Sequence, residues 1–240
     1  MNAKNTVLLV IVVLLIAAGA VFTGMRLIKP APVRLAGVVA AWSGDGTDAV
    51  GNNTATMTDV AVAGGKVGRA FSFNGKSSWI RMPASPSLDI GAGDGFTIEC
   101  WVKPNAFDVD VSGAPIIEWD SATTDGLQLW SGGMIFANLK DIHNVAHNLA
   151  VPITLNTNEF QHVALTYDKS SGDACFYYNG LLLTNVNFGG ITPQTTYPVN
   201  IGRRTGQPIG NGDTFGGLID GLCLYNRALS AAEIQRIYRH

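Results

Sequence analysis

From Val38 onward, short runs of alternating apolar and polar residues are separated by Gly, Asp, Asn and Pro. A period of two is that of a β-strand whose faces meet different surroundings, and many such runs in series predict an all-β sandwich or barrel. The predicted strands are Val38–Trp42, Arg69–Asn74, Trp79–Met82, Phe96–Lys103, Ile116–Trp119, Leu127–Trp130 and Met134–Asn138. They continue with Gln161–Tyr167, Ala174–Tyr178, Pro198–Gly202 and Gly217–Tyr225. In Phe96–Lys103 the alternation assigns Phe96, Ile98, Cys100 and Val102 to one face and Thr97, Glu99, Trp101 and Lys103 to the other. Val163, Leu165 and Tyr167 oppose His162, Ala164 and Thr166 in the same way. Asn74-Gly75 and Asn179-Gly180 suit hairpin turns that need φ > 0.

Helical signals are confined to the two ends. Ser230-Ala231-Ala232-Glu233 is a capping box, in which Ser230 accepts the Glu233 N–H and Glu233 reaches back. Leu229 and Ile234 flank it as a hydrophobic staple, and Ile234, Ile237 and Tyr238 share one face of the short helix that follows. This helix is expected to lie on the sandwich as a cover. At the other end, Val7–Met25 is 19 residues long without charge or proline. At 1.5 Å per residue it spans about 28 Å, close to the hydrocarbon thickness of a bilayer.

Two readings of that stretch compete. A cleaved signal peptide would use Lys4, the apolar Val7–Ala17 and a cleavage site at Ala18-Gly19-Ala20. An uncleaved single-pass anchor would use the whole stretch, including Val7, Leu14, Phe22 and Met25, with Arg26 and Lys29 at the far interface. The anchor is favoured. Residues 1–28 are then the anchor, 29–37 a Pro-bearing spacer and 38–240 the folded domain. Arg26, Lys29 and Arg34 outnumber Lys4 and the amino terminus, a bias that places the domain in the cytoplasm.

The 16 Lys+Arg against 18 Asp+Glu give a net charge of −2 with no basic run, which argues against a nucleic-acid partner. Glycine is abundant, at 28 residues, in keeping with many tight turns. Cys100, Cys175 and Cys223 are odd in number, far apart and without CxxC spacing. They read as small buried hydrophobes, with a single disulfide as the alternative.

Three blocks together resemble the laminin G-like, concanavalin A-like lectin/glucanase jelly-roll family of bacterial exported proteins. The first is Trp42–Asn53 (WSGDGTDAVGNN) followed by Gly64–Asp89; the second is Phe96–Pro104 (FTIECWVKP). The third is Phe160–Asp168 (FQHVALTYD) with Phe176–Gly180, then Gly216–Ile234 (GGLIDGLCLYNRALSAAEI). The resemblance implies two antiparallel sheets packed face to face, with first and last strands adjacent, and an exported domain on the periplasmic or extracellular side, against the charge bias. It names no single activity.

It also implies a structural Ca²⁺ joining the first and last strands. Asp48 and Asp45 in the Trp42–Asn53 loop would be ligands, with Asp220 from the other side, since hard oxygen donors suit Ca²⁺. Asp220 has the parity of the apolar Leu222 and Leu224; the alternative is a bulge that turns its carboxylate to solvent or to turn N–H groups.

Glu118-Trp119-Asp120 resembles the start of the E-x-D-x-x-E motif of laminarinase-type glucanases, whose two glutamates are nucleophile and general acid. Thr123 stands where the second glutamate belongs, so no catalytic residue is assigned. His143 and His147 read as loop residues, with Asn144 where a zincin needs glutamate. His162 reads as a packing residue. Of the five tryptophans, Trp42, Trp101 and Trp119 fall in strand cores; Trp79 and Trp130 are the better candidates for an exposed sugar platform, with core packing as the alternative.

The first functional expectation is a non-catalytic, membrane-anchored accessory subunit that contacts protein partners in a membrane-associated assembly. The alternative is a cell-surface carbohydrate-binding module, and the weak third is a glycoside hydrolase.

Overall fold

The computed structural model describes residues 33–105, 113–205 and 213–240. The expected anchor, with Val7, Leu14, Phe22 and Met25, lies outside them. Among the described residues no helix is long and apolar enough to cross a membrane.

The strands are β1 (Val38–Trp42), β2 (Thr56–Thr58), β3 (Ala61–Gly64), β4 (Arg69–Asn74), β5 (Trp79–Met82), β6 (Gly95–Pro104), β7 (Ala114–Asp120) and β8 (Asp125–Ser131). They continue as β9 (Ile135–Leu139), β10 (Asn148–Val151), β11 (Gln161–Asp168), β12 (Asp173–Tyr178), β13 (Leu181–Asn187), β14 (Val199–Ile201) and β15 (Gly216–Tyr225). The first sheet runs β13-β12-β11-β6-β15-β4-β3, with β1 also on β15; the second runs β10-β9-β8-β7-β14-β5-β2. Every strand pairing among the described residues is antiparallel. The first and last strands lie side by side, Trp42 opposite Leu222 and Ala41 opposite Cys223.

The core fills the space between the sheets. Ile98, Val102, Leu165 and Phe176 from the first sheet meet Ile80, Ile117, Trp119, Leu129 and Ile201 from the second, all fully buried. Each such side chain contributes roughly 1.5–3 kcal/mol by leaving water. The face assignments of Phe96–Lys103 and Gln161–Tyr167 hold: Phe96, Ile98, Cys100, Val102, Val163, Leu165 and Tyr167 belong to this core.

A second apolar cluster lies on the opposite face of the first sheet. Ala41, Ala164, Tyr177, Cys223 and Tyr225 pack there beneath Leu229 and beneath Ile234 and Ile237 of the C-terminal helix Ala231–Tyr238. The capping box is formed as expected, and Tyr238 stacks on Trp101 with ring centroids 5.6 Å apart. His162 packs under this helix with Nε2 3.1 Å from Glu99 Oε2. Leu35, in the expected spacer, is buried in the same cluster. The three cysteines are free thiols; Cys100 and Cys223 are buried and Cys175 is half-buried.

Asn179-Gly180 closes the β12–β13 hairpin with both residues at positive φ, 49° and 78°. Asn74-Gly75 serves another purpose. It carries the chain from β4 in the first sheet to β5 in the second, and Asn74 Oδ1 accepts the N–H groups of Lys76, Ser77 and Ser78.

Candidate functional site

The outer face of the second sheet carries a row of polar side chains that the register lines up across six strands. Asn200 of β14 sits opposite Arg81 of β5 on one side and Glu118 of β7 on the other. Glu118 faces Gln128 of β8, which faces Asn138 of β9, which faces Asn148 of β10. Directly opposed residues share a face. Val199 and Ile201, Ile117 and Trp119, Leu127 and Leu129, and Ala137 and Leu139 all point inward to the core, so the polar residues between them point out. Yet Glu118, Asn200, Gln128 and Asn138 are themselves buried, so this strip of the face is covered and recessed below the open surface.

Neighbouring members of the row bond to one another. Asn138 Nδ2 donates to Gln128 Oε1 at 3.3 Å, and Gln128 Nε2 to Glu118 Oε2 at 3.4 Å. Trp130 Nε1 donates to the same Glu118 oxygen at 3.0 Å. Arg204 Nε stands 3.7 Å from Glu118 Oε2, and its guanidinium lies over the Trp130 ring, 4.5 Å from the centroid. Arg203 lies over Trp79 in the same manner at 5.6 Å. Two successive residues therefore each cap one of the two tryptophans that the sequence singles out. Trp79 and Trp130 are half-buried, while Trp42, Trp101 and Trp119 are buried.

Asp120 anchors Thr205, the residue that follows the two arginines. Its Oδ2 accepts the Thr205 N–H at 2.9 Å and the Thr205 hydroxyl at 2.8 Å, and Oδ1 accepts the Ala122 N–H. Partial burial opposes its charge, but these donors keep its carboxyl below the ordinary range. The neighbouring carboxyl behaves in the opposite way. Burial pushes Glu118 up to about 8 against the attraction of Arg204, and the Asp120 charge adds to the rise. Glu118 therefore favours its neutral form at pH 7. Glu118 and Asp120 are the first two carboxyls of the E-x-D-x-x-E pattern, which needs a second glutamate at position 123. Thr123, where the second glutamate would stand, lies in the β7–β8 turn with its hydroxyl 3.2 Å from that of Ser121.

The calcium ligands expected from the resemblance are engaged otherwise. Asp48 Oδ1 accepts the N–H groups of Ala41, Val50 and Gly51, each at 3.0 Å, and Oδ2 accepts the Asn53 amide at 2.7 Å. Burial works against the Asp48 charge, yet these donors hold its pKa low. Asp45 Oδ1 accepts the Thr47 N–H. Asp220 does not face the core with Leu222 and Leu224. The β15–β6 register slips between Asp220 and Cys223, and Gly221, at φ 60°, takes up the extra residue. The slip reverses the parity, and Asp220 Oδ2 accepts the Val67 N–H at 2.8 Å. Asp45 and Asp48 border one hollow and Asp220 another. Asp45 Oδ1, Asp48 Oδ1 and Asp220 Oδ2 are thus directed at N–H groups, and no cluster of three His, Cys, Asp or Glu suited to a metal occurs among the described residues.

His147 Nε2 pairs with Asp141 Oδ2 at 3.2 Å, and His143 is exposed in the same loop. Sequence reasoning does not find Arg81, Asn200, Arg203 and Arg204, whose significance lies in register and not in any local motif.

The family described as the concanavalin A-like lectin/glucanases superfamily matches residues 74–235. No curated protein matches the chain. Among solved structures, the binding domain of Paraclostridial Mosquitocidal Protein 1 superposes with a TM-score of 0.68 at 15% identity, over 84% of this chain and 52% of that one. The botulinum neurotoxin serotype G binding domain gives 0.65 at 19%, over 84% and 50%. Domain 4 of AbnA, a GH43 extracellular arabinanase from Geobacillus stearothermophilus, in complex with arabinotriose, gives 0.64 at 22%, over 84% and 98%. The chain spans about half the length of the first two.

Proposed function

The chain belongs to the concanavalin A-like lectin/glucanase superfamily, and from that membership and the recess on its second sheet we infer a non-catalytic module that binds carbohydrate. The observation that carries this reading is the polar row Asn200–Glu118–Gln128–Asn138, with Trp79 and Trp130 on the same outer face. Amides and a neutral carboxyl both donate and accept, as sugar hydroxyls do, and the two half-buried indoles, each with an arginine over one face, add apolar surface beside them. Superposition on a domain solved with arabinotriose is consistent with this. Without a second carboxylate in the place of Thr123, Glu118 has no partner for a two-acid hydrolysis.

Val7–Met25 is read as the single-pass anchor that holds the domain near a membrane, with the domain exported. Its uncharged 19-residue length supports this. Extraction of the full chain from membranes by detergent and not by carbonate is the expected result.

Glycan-array binding by the full chain, lost in Trp79→Ala and Trp130→Ala, is the test. Binding indifferent to both substitutions overturns the site. Glycan turnover abolished by Glu118→Gln would replace it with the hydrolase reading. An accessory role through protein contact is the second reading, favoured by the uncharged edge strand β13, where Leu181 and Leu182 are 62% and 53% exposed. It is tested by stoichiometric co-purification with integral membrane proteins from detergent.

A further inference from the structure

The recess holds more positive charge than a neutral ligand would use. Arg203 and Arg204 extend from the end of β14 over the two tryptophans, and the register puts Arg81 directly opposite Asn200. The Nε atoms of Arg203 and Arg204 are buried and lack a hydrogen-bond partner among the described residues. Between these arginines and Glu118, Asn200 is completely buried, and neither its Oδ1 nor its Nδ2 has a partner among the described residues. A buried amide with neither atom bonded is costly, and a ligand that bonds both removes the cost.

The carboxylates nearby do not neutralise this set. Asp120 is committed to Thr205 and Ala122, and the Asp213 backbone carbonyl accepts the Arg204 N–H. Glu118 favours its neutral form at pH 7. Three guanidinium groups thus gather around Asn200 and the two tryptophans, on a chain whose net charge is −2. A guanidinium presents a planar fork of donors that matches a carboxylate or a sulfate, and it does so while stacked on an aromatic ring.

We propose that the recess binds an acidic saccharide, its carboxylate or sulfate ester held by Arg81, Arg203 and Arg204 and a ring hydroxyl held by the Asn200 amide. This rests on the carbohydrate-binding reading of the same site and adds the class of sugar. The neutral amides of Gln128 and Asn138 extend the contact along the row to further hydroxyls.

The test uses the full chain in detergent micelles and matched pairs of ligands. Oligogalacturonate is compared with its methyl ester, and a sulfated galactan oligomer with its desulfated form, by titration calorimetry at low and moderate salt. The expected result is at least tenfold tighter binding of one acid than of its neutral partner. The preference should fall in Arg81→Gln and vanish in the double variant Arg203→Gln/Arg204→Gln, while Lys66→Gln, on the other sheet beside Trp101, leaves it unchanged. Preference for the uronate or for the sulfate identifies which acid the arginines take. Equal binding of acid and neutral forms, lost in Trp79→Ala and Trp130→Ala, overturns the acidic class and leaves the carbohydrate site standing. Binding of neither acid overturns the proposal. If the double variant melts early, the half-buried Arg81 decides, since a preference indifferent to Arg81→Gln also overturns it.

Discussion

The Asp220 carboxylate accepts the Val67 N–H at 2.8 Å, a bond between residues 153 positions apart in the chain. It ties the loop before β4 to the bulge in the last strand. Gly65 makes room for it: a Cβ there would collide with Asp220 Oδ2. Gly65→Ala is therefore expected to lose about 1–3 kcal/mol by overpacking, and Asp220→Ala about 1 kcal/mol or more, because the partly buried Val67 donor loses its partner. Chemical denaturation of both variants checks this. Because the Asp45, Asp48 and Asp220 oxygens already serve N–H donors, chelator should leave the melting temperature unchanged. A melt lowered by chelator and restored by Ca²⁺ would return the metal to these residues.

Glu118 gives the protein a pH dependence of definite sign. Its folded value of about 8 lies above the ordinary 4.5, so between those limits the unfolded chain gives up a proton that the folded one keeps. Stability from this group is whole below about pH 4.5, falls as pH rises and levels off above about 8. Glu118→Gln removes the effect. The variant should match the parent near pH 5 and exceed it at pH 9 by on the order of a few kcal/mol. Parallel pH–stability curves for the two proteins would show that Glu118 ionises freely.

The C-terminal helix depends on its cap. Ser230 Oγ accepts the Glu233 N–H, and Glu233 accepts from Ser230 and from Arg227 at 2.7 Å. Ser230→Ala is expected to cost about 1 kcal/mol, or roughly 2–4 °C in a domain of this size. The Arg227 bonds, followed by the Ser230 N–H, hold Glu233 at about 2, so this contribution is present above pH 4.5 and is lost as pH falls toward 2. Arg227→Gln should flatten that acid limb, which acid titration followed by circular dichroism will measure.

Strands buried on at least one face are legible in the alternation of residues alone. β1, β4 and β5 fall where the alternation puts them, and β6, β7, β8, β9, β11, β12, β14 and β15 differ by only one or two residues at their ends. The strands it misses are β2, β3, β10 and β13, all at sheet edges, where one residue follows another with little contrast between faces. Leu181–Asn187 opens with three leucines and is largely exposed, so its alternation carries no sign of a core. The parity count fails at Asp220 for a related reason, and the alternative, a bulge that turns the carboxylate to a turn N–H, is what the register shows. Period-two counting fails across Gly221, and no local residue announces the slip beyond the glycine itself. The recess is half legible. Trp79, Trp130 and Glu118 stand out by type, but Asn200 becomes informative only when register sets it between Arg81 and Glu118, and register is a property of pairing, absent from one strand's sequence.

Gly202 couples the core to the recess. It follows β14 at φ 79°, donates its N–H to the Ile116 carbonyl and accepts the Phe215 N–H, and so turns the chain outward into Arg203 and Arg204. The space a side chain would need is taken by the ring of Phe73, which is itself wedged edge-on against Phe215 at 5.8 Å. Gly202→Ala combines that clash with left-handed backbone. The expected loss is about 2–5 kcal/mol, seen as a lower denaturation midpoint. Because the arginines move with the turn, ligand affinity should fall in the fraction that stays folded, whereas Gly189→Ala, also at positive φ but with open space around its Cβ, should lose only the backbone cost of roughly 1–2 kcal/mol and keep full affinity.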